Sequence, residues 1–316
     1  MKDQPRVSII VPCKSIDGYI VECVEHCKEL DYENYEIIVL PDDATRKIKG
    51  VRIIPTGAAT PGRKRNIGAK HAEGQILAFI DSDAYPKRDW LKNAIKYFSD
   101  SEIAAVGGPG VTPSNDPPLH SASGYILSSF MVGTLSDRYK AKKAKESDDI
   151  HSCNFIARKS IIKNVKWDEK YWPGEDTLMC LGINKLGKKM LETPDVVVYH
   201  HRRPLFLPHL RQVSQFGLHR GFFAKKFPET SLRLTYLLPS LLVLFLIFGM
   251  LTSYFIPVFR VIFLSAVLVY LVLTLIAALL SNDIKLSFYT WIGIILTHLT
   301  YGTYFLIGLF KRELRR

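Results

Sequence analysis

The sequence predicts an α/β domain followed by a helical transmembrane region. Three observations carry this reading. Short apolar runs of strand length alternate with helical segments over residues 1–203, the pattern of helices packed on a mostly parallel sheet. Acidic residues follow two of those runs, at 42–43 and 81–83. Three charge-free stretches, Leu234 to Phe259, Val261 to Asn282 and Leu286 to Phe310, occupy the rest. Each exceeds the roughly 20 residues a helix needs to cross the hydrocarbon core. A soluble helix of that length is normally broken by charge on its solvated face.

Val7 to Val11 is a buried strand ended by Pro12, and Ile16 to Leu30 has helical character. Tyr35 to Leu40 is a second strand, running into Pro41-Asp42-Asp43, and Val51 to Ile54 is a third. Gly62 to Ala72 is a basic helix broken by Gly74. Ile76 to Ile80 is a fourth strand, ending in Asp81-Ser82-Asp83. Trp90 to Phe98 is helical, and Ile103 to Val106 is a fifth strand. Thr112 to Pro118 is a Pro-, Ser- and Asn-containing loop, and 138–149 is a charged, mobile segment. Asn154 to Ile162 is a strand running into a helix, Glu175 to Leu186 is a helix, and Val196 to Tyr199 is a final strand before His200-His201. These patterns predict a domain at 1–203, an amphipathic interface segment at 204–233 and about three membrane helices within 234–316.

The 316 residues carry a formal charge of +12. Basic residues concentrate at Arg138 to Lys145 and at Arg202 to Arg233, directly before the first apolar stretch. A juxtamembrane basic segment is drawn to anionic lipid. No recognition motif accompanies the charge, so the partners expected are membrane lipid and phosphate-bearing substrates, not nucleic acid. The five cysteines are odd in number and lack zinc-ribbon spacing, so they are read as reduced thiols. Met1 to Arg6 is polar and precedes only a strand-length apolar run, so the first domain is expected to stay in the cytoplasm, with the chain a multi-pass protein of the cell membrane.

In open α/β sheets, ligands bind beyond the carboxyl ends of the strands. Both acidic groups sit at such ends. Two carboxylates one residue apart, as in Asp81-Ser82-Asp83, can meet one divalent cation and a ribose hydroxyl. Mg²⁺ and Mn²⁺ favour such oxygens and share them with phosphates. The pair Glu175-Asp176 opens a helix, where acids also complement the dipole. Side chains alternate along a strand, so only one of His200 and His201 faces the site; His200 is the choice.

The run Pro61-Gly62-Arg63-Lys64-Arg65-Asn66-Ile67-Gly68-Ala69, then Ala72-Glu73-Gly74, then Ile80-Asp81-Ser82-Asp83, resembles the donor-binding half of family 2 glycosyltransferases with a GT-A fold. Val7-Ser8-Ile9-Ile10-Val11-Pro12 and Tyr35 to Asp43 resemble the family's first two strands. The resemblance implies a Rossmann-like nucleotide-sugar-binding domain. It implies that Asp43 contacts the nucleobase, that Arg65 and Asn66 line the donor pocket, that Asp81 faces the ribose and that Asp83 binds the metal on the diphosphate. Pro12, Ser82 and Asn154 complete the implied donor set. His151 to Arg158 is similar to the segment under the donor sugar. Pro173-Gly174-Glu175-Asp176 is similar to the family's catalytic acid pair, which makes Asp176 the general base beside Glu175. Some relatives add a late histidine to the metal, which assigns His200 there and favours Mn²⁺ over Mg²⁺. Gln212 to Gly221 resembles the interface helix whose Gln and Arg close over the diphosphate, which adds Gln215 and Arg220.

Two departures limit what carries over. Cys13-Lys14-Ser15 stands where the family often has an aromatic residue and Asn, so the donor is left as a UDP- or GDP-sugar. No Trp follows Arg220, unlike the motif of processive synthases. The resemblance therefore implies an inverting transfer from a nucleotide sugar to a lipid-linked or glycan acceptor. A polyprenyl-phosphate sugar synthase is the enzymatic alternative, and a non-catalytic membrane scaffold on the same fold is the alternative of another class. Three crossings would put the basic flank 311–316 opposite the catalytic domain, whereas basic flanks prefer the cytoplasm. Pro239 and Pro257 make the first apolar stretch a candidate for a re-entrant or interfacial helix.

Overall fold

The computed structural model describes residues 4–43, 46–132, 138–140, 143–281 and 283–314. By internal contacts the chain divides into two units: Met1–Pro113 with Asp137–His201, and Ser114–Ser136 with Arg202–Arg316.

The first unit begins with β1 (Val7–Pro12), α1 (Gly18–Lys28), β2 (Tyr35–Leu40), β3 (Arg52–Ile53), α2 (Pro61–His71), β4 (Ile76–Ile80) and β5 (Ala84–Pro86). It continues with α3 (Trp90–Ile95), β6 (Ile103–Gly107) and β7 (Gly110–Val111). After α4 (Pro118–Ser128), which belongs to the second unit, come β8 (Lys145–Glu146), β9 (Asn154–Arg158), α5 (Lys159–Val165), α6 (Glu175–Lys185), β10 (Lys189–Glu192) and β11 (Val198–His200). An eight-stranded sheet runs in the order β3-β2-β1-β4-β9-β6-β10-β8, and a small sheet in the order β5-β11-β7. The large sheet is mixed. β1 to β4 are parallel, but β9 runs antiparallel to both β4 and β6. Strand β9 is reached after the excursion through α4, not by a direct right-handed crossover from β6, so nothing obliges it to be parallel.

Both faces of the sheet are covered, so its central strands are apolar over most of their length. Ile9, Val11, Val39 and Ile80 pack with Ile20, Cys23 and Val24 of α1 on one face. Ile10, Ile38, Leu40 and Phe79 pack with Ala69 of α2 and with Met179 and Ile183 of α6 on the other. The helices start where their caps dictate. Asp17 accepts the Ile20 amide at 3.1 Å and Thr60 the Arg63 amide at 3.3 Å, with Pro61 at the first helical position. Gly68 lets α2 lie close on the sheet, since a Cβ there would stand 2.6 Å from Ile10 Cγ2. All five cysteines are buried free thiols.

The described part of the charged segment 138–149 carries a short paired strand and an ion pair. Lys145–Glu146 pairs antiparallel with β10 at the sheet edge, and Arg138 lies 2.5 Å from Asp149. Residues 141–142 of that segment lie outside the described residues.

The second unit is helical: α4, α7 (Leu207–Lys226), α8 (Pro228–Ser231), α9 (Leu234–Phe255), α10 (Pro257–Leu279) and α11 (Ile284–Phe310). Three of these, α9, α10 and α11, are long and apolar enough to cross a membrane. Helix α7 packs along α11 through glycines. A Cβ at Gly221 would lie 2.0 Å from the Phe305 carbonyl, and one at Gly308 would lie 2.2 Å from that of Leu218.

Candidate active site

β1, β2 and β4 end at the same edge of the sheet, because they are parallel and in register. β9 runs the other way, so its first residue, Asn154, lies opposite Ile80 at that edge. The strand-end acids at 42–43 and 81–83 are therefore gathered by topology before any side chain is considered.

Asp81-Ser82-Asp83 forms a tight turn closed by the Ala84 amide, which donates to the Asp81 carbonyl at 3.1 Å. Strand β5 follows at once and pairs antiparallel with β11, setting Ala84 opposite His200. His200 Nε2 thereby comes within 3.2 Å of Asp83 Oδ1. His201 points the other way, 3.0 Å from Glu22 and beside the ring of Tyr19. Ligand atoms of Asp81, Asp83 and His200 all lie within 4.8 Å of one another, and the three residues are half-buried. Two carboxylates and an imidazole fit a divalent cation. The mixed oxygen and nitrogen set suits Mn²⁺ better than Mg²⁺, which prefers oxygen alone.

Arg65 organises what lies beneath. It projects from α2 and is 2 % exposed. One guanidinium nitrogen donates to Glu175 Oε1 at 2.8 Å; the other donates to Asp81 Oδ1 at 2.7 Å and to Ser152 Oγ at 3.0 Å. The group also stands 4.9 Å from the centre of the Trp167 ring. Burial disfavours its charge, but Asp81 and Glu175 outweigh that and raise its pKa further. One side chain thus ties the strand-end acids to the acids that open α6. Those acids are aimed by Gly174, whose φ of 117° is a left-handed conformation available to glycine without strain. Asp176 Oδ1 accepts the Thr177 amide at 2.8 Å, which orients the carboxylate at the first turn.

Glu175 is buried, and desolvation pushes its carboxyl up to about 7 despite Arg65, with Asp176 adding to the rise. The guanidinium is shared with Asp81, so pairing offsets burial only in part. Between an unfolded value of about 4.3 and the folded value, the native chain holds a proton that the unfolded chain has released. The stability this group contributes is complete below that unfolded value and is lost as pH rises towards 7. The thermal midpoint of the wild type is therefore expected to fall, relative to Glu175→Gln, from about pH 5 to about pH 7.5. Scanning fluorimetry of the two proteins across that range checks it, and parallel profiles would remove the ionisation from the account.

Around Asp43, expected at the nucleobase, the ends of β1 and β2 are tied together by a lysine. Asp42 is the engaged acid: Lys64 Nζ donates to its Oδ1 at 2.5 Å, to the Cys13 carbonyl at 2.7 Å and to the Leu40 carbonyl at 3.2 Å. Lys64 is 3 % exposed, so one buried ammonium binds the ends of β1 and β2 together. Asp43 is exposed just beyond. Pro12 is the buried last residue of β1, and burial pushes the adjacent Cys13 thiol up to about 12, which leaves it un-ionised. Lys64 was missed because a lysine in a basic helix reads as solvated. Its only sequence signal is that it falls on the sheet-facing side of that helix, beside Gly68.

Two predicted donor-pocket residues are engaged with the protein. Asn66 Nδ2 donates to the Trp167 carbonyl at 2.8 Å, and its Oδ1 accepts the Trp167 amide at 2.9 Å. Asn154 is fully buried, accepting from Trp90 Nε1 at 2.8 Å and donating to the Val196 carbonyl at 2.7 Å. Gln215 and Arg220 stand on α7 of the second unit. Gln215 is exposed there, and Arg220 lies 4.7 Å from the Tyr236 ring centre and 3.3 Å from Ser231 Oγ.

Comparison with known proteins gives a family and a fold. The family described as glycosyl transferase family 2 matches residues 8–165. A Methanococcus voltae protein, the dolichyl N-acetyl-alpha-D-glucosaminyl phosphate 3-beta-D-2,3-diacetamido-2,3-dideoxy-beta-D-glucuronosyltransferase, is 22% identical over 240 residues, 70% of this chain and 74% of that protein. The Staphylococcus aureus (strain Mu50) poly(ribitol-phosphate) beta-N-acetylglucosaminyltransferase TarS is 26% identical over 166 residues, 45% of this chain and 29% of that one. The solved mannosyltransferase PcManGT from Pyrobaculum calidifontis, in complex with GDP-Man and Mn²⁺, superposes with a TM-score of 0.64 at 17% identity. That superposition covers 99% of this chain and 89% of the other, and at that identity it shows the fold, a GT-A-like domain followed by long apolar helices.

Proposed function

This protein belongs to glycosyl transferase family 2, and from that premise we propose that it performs an inverting transfer to a lipid-linked saccharide, with Asp176 as the base. The chain is a glycosyltransferase that uses a nucleotide-sugar donor, and its three apolar helices set it in a membrane context. The observation that carries the finer reading is the Arg65 fork, which holds Asp81 at 2.7 Å and Glu175 at 2.8 Å. Acids suited to a cation and acids suited to a proton thus share one site. The lipid-linked acceptor is supported by the apolar helices and by the likeness to the Methanococcus protein, whose name specifies a dolichyl phosphate sugar. The basic residues between Arg202 and Arg233 support a cytoplasmic position for the catalytic unit.

In this reading Asp176 accepts the proton of the acceptor hydroxyl as that oxygen attacks the anomeric carbon. The new C–O bond forms on the face opposite the breaking bond, and the nucleoside diphosphate leaves with the electron pair. Glu175 stands next to Asp176 at the start of α6, held by Arg65 at 2.8 Å, so the base is carried on an anchored turn. Arg65 fixes both acid sites so that neither must reorganise during the reaction. Asp81, Asp83 and His200 would hold the divalent cation. Bound there, such an ion offsets charge on the departing diphosphate.

Asp83→Ala is expected to weaken donor binding in the presence of Mn²⁺ at least tenfold while leaving the thermal midpoint of the metal-free protein nearly unchanged, because Asp83 is half-buried and near the surface. Calorimetric titration of UDP- and GDP-sugars with and without Mn²⁺ tests this. Equal Mn²⁺-dependent affinities in variant and wild type would count against the metal assignment.

A further inference from the structure

The three apolar helices are not arranged as three parallel crossings. Helices α10 and α11 form an antiparallel hairpin. Ser281 Oγ meets Ser287 Oγ at 2.9 Å, Trp291 Nε1 donates to Thr274 Oγ1 at 3.0 Å, and the Tyr270 hydroxyl lies 2.9 Å from His298 Nδ1. The contacts climb α11 as they descend α10. Helix α9 begins at the far end of that hairpin. Tyr236 packs with Phe305 and with Ala224 of α7, and Ser240 Oγ donates to the Gly302 carbonyl at 3.1 Å. Further along α9, Phe245 meets Phe263 with ring centres 5.3 Å apart, and a Cβ at Gly249 would lie 2.5 Å from the same ring. Phe263 is seven residues before Tyr270 on α10, a rise of about 10 Å, which brings it level with the same last turns of α11. Both the first turns and the middle of α9 therefore lie near one end of the hairpin. Helix α9 lies across that end and does not run along the hairpin's length, and it carries Pro239 in its second turn.

The same end collects charge. Lys225 and Lys226 close α7, Arg233 precedes α9, and Lys311 and Arg312 follow α11. Lys225 Nζ donates at 2.5 Å to the carbonyl of Lys311, the residue that caps α11, so the ends of the two helices are joined. Glu229 and Glu313 offset part of this charge and leave it net positive. Directly beside the cations stand exposed Leu232, Leu234 and Phe310, the last 84 % exposed. Cations bordering bare apolar side chains match the boundary between phosphate headgroups and acyl chains.

We propose that only α10 and α11 cross the bilayer, that α9 is re-entrant, and that Lys225, Lys226, Arg233, Lys311 and Arg312 form one surface for anionic phospholipid headgroups. The segments before α9 and after α11 then share one side of the membrane, which reconciles the basic flank with its preference for the cytoplasm.

The test uses the full chain in membranes, with single cysteines placed by Glu229→Cys, Val258→Cys, Leu280→Cys and Glu313→Cys and labelled by a membrane-impermeant maleimide from each side. The five native thiols are buried, and the unsubstituted chain gives the background. Positions 229, 258 and 313 are expected to label from one side and position 280 from the other. Labelling of 229 with 280, opposite 258 and 313, would mean three crossings and overturn the proposal. In nanodiscs mixing phosphatidylglycerol with phosphatidylcholine, the lipid retained on purification is expected to be enriched severalfold in phosphatidylglycerol. Joint replacement of Lys225, Lys226, Lys311 and Arg312 by Gln is expected to remove that enrichment. A wild type that retains both lipids equally, or an enrichment that survives the replacement, would overturn the headgroup surface.

Discussion

Replacing Asp176 with Asn is expected to lower the turnover of sugar transfer about 10²- to 10⁴-fold, the range for loss of a general base. The substitution keeps the shape of the side chain and an oxygen able to accept the Thr177 amide, which Asp176 Oδ1 does at 2.8 Å. Only the capacity to take a proton is lost. Donor affinity should stay within twofold, because the Asp81, Asp83 and His200 cluster is untouched. Steady-state kinetics with calorimetric donor binding separate the two quantities. Turnover close to wild type would remove Asp176 from the role of base. Equal loss of donor binding and turnover would make it a donor ligand instead.

Replacing Arg65 with Met should cost more in stability than any other single change at the site. It leaves Glu175 buried and Asp81 half-buried without their shared cation. Breaking a buried pair by removing one partner costs about 3–5 kcal/mol. Arg65→Lys is expected to rescue only part of that loss. A single ammonium cannot reproduce a planar fork that reaches Glu175, Asp81 and Ser152 at 2.7 to 3.0 Å. At pH 8, above the value of about 7 to which burial raises Glu175, the double variant Arg65→Met with Glu175→Gln should be more stable than Arg65→Met alone, since it removes a buried carboxyl that is costly to ionise. Thermal midpoints of the four proteins in one detergent decide this. A double variant that adds the two single losses would show that the pair is not coupled.

Much of the fold is legible in the sequence because its strands are covered on both faces. Mostly apolar runs at Val7, Tyr35 and Ile76 begin strands β1, β2 and β4 at those residues. The helix expected over Gly62 to Ala72 is observed as Pro61–His71, with Pro61 and Thr60 marking its start. Strand direction was less accessible: β9 is antiparallel, and its own composition, Asn-Phe-Ile-Ala-Arg, suits either orientation. Helix α4 was not foreseen, because Pro117-Pro118 and the serines around it read as loop when its apolar partners, Leu205 and Ile294, lie far along the chain.

The acids of the site could be read from their positions at strand ends and at a helix start. Their linkage could not. Arg65 and Glu175 are 110 residues apart, and no local pattern reports a contact made only when α2 and α6 pack on one face of the sheet. The same limit explains Asn66 and Asn154. Their side chains bind Trp167 and Trp90 across separations of 101 and 64 residues, contacts that no local pattern reports. For His200 and His201 the strand period narrowed the choice, but only the pairing of β11 with β5 sets His200 against Asp83.

The most direct test of the central claim is transfer by the purified full chain in detergent. A panel of UDP- and GDP-sugars would be offered with Mn²⁺ or Mg²⁺, with a polyprenyl-diphosphate saccharide and a polyprenyl phosphate as competing acceptors. The anomeric configuration of the product would be read by NMR. The expected result is metal-dependent consumption of one donor and extension of the saccharide with inverted configuration at the transferred carbon. Retained configuration, or transfer to the lipid phosphate in preference to the saccharide, would contradict the account.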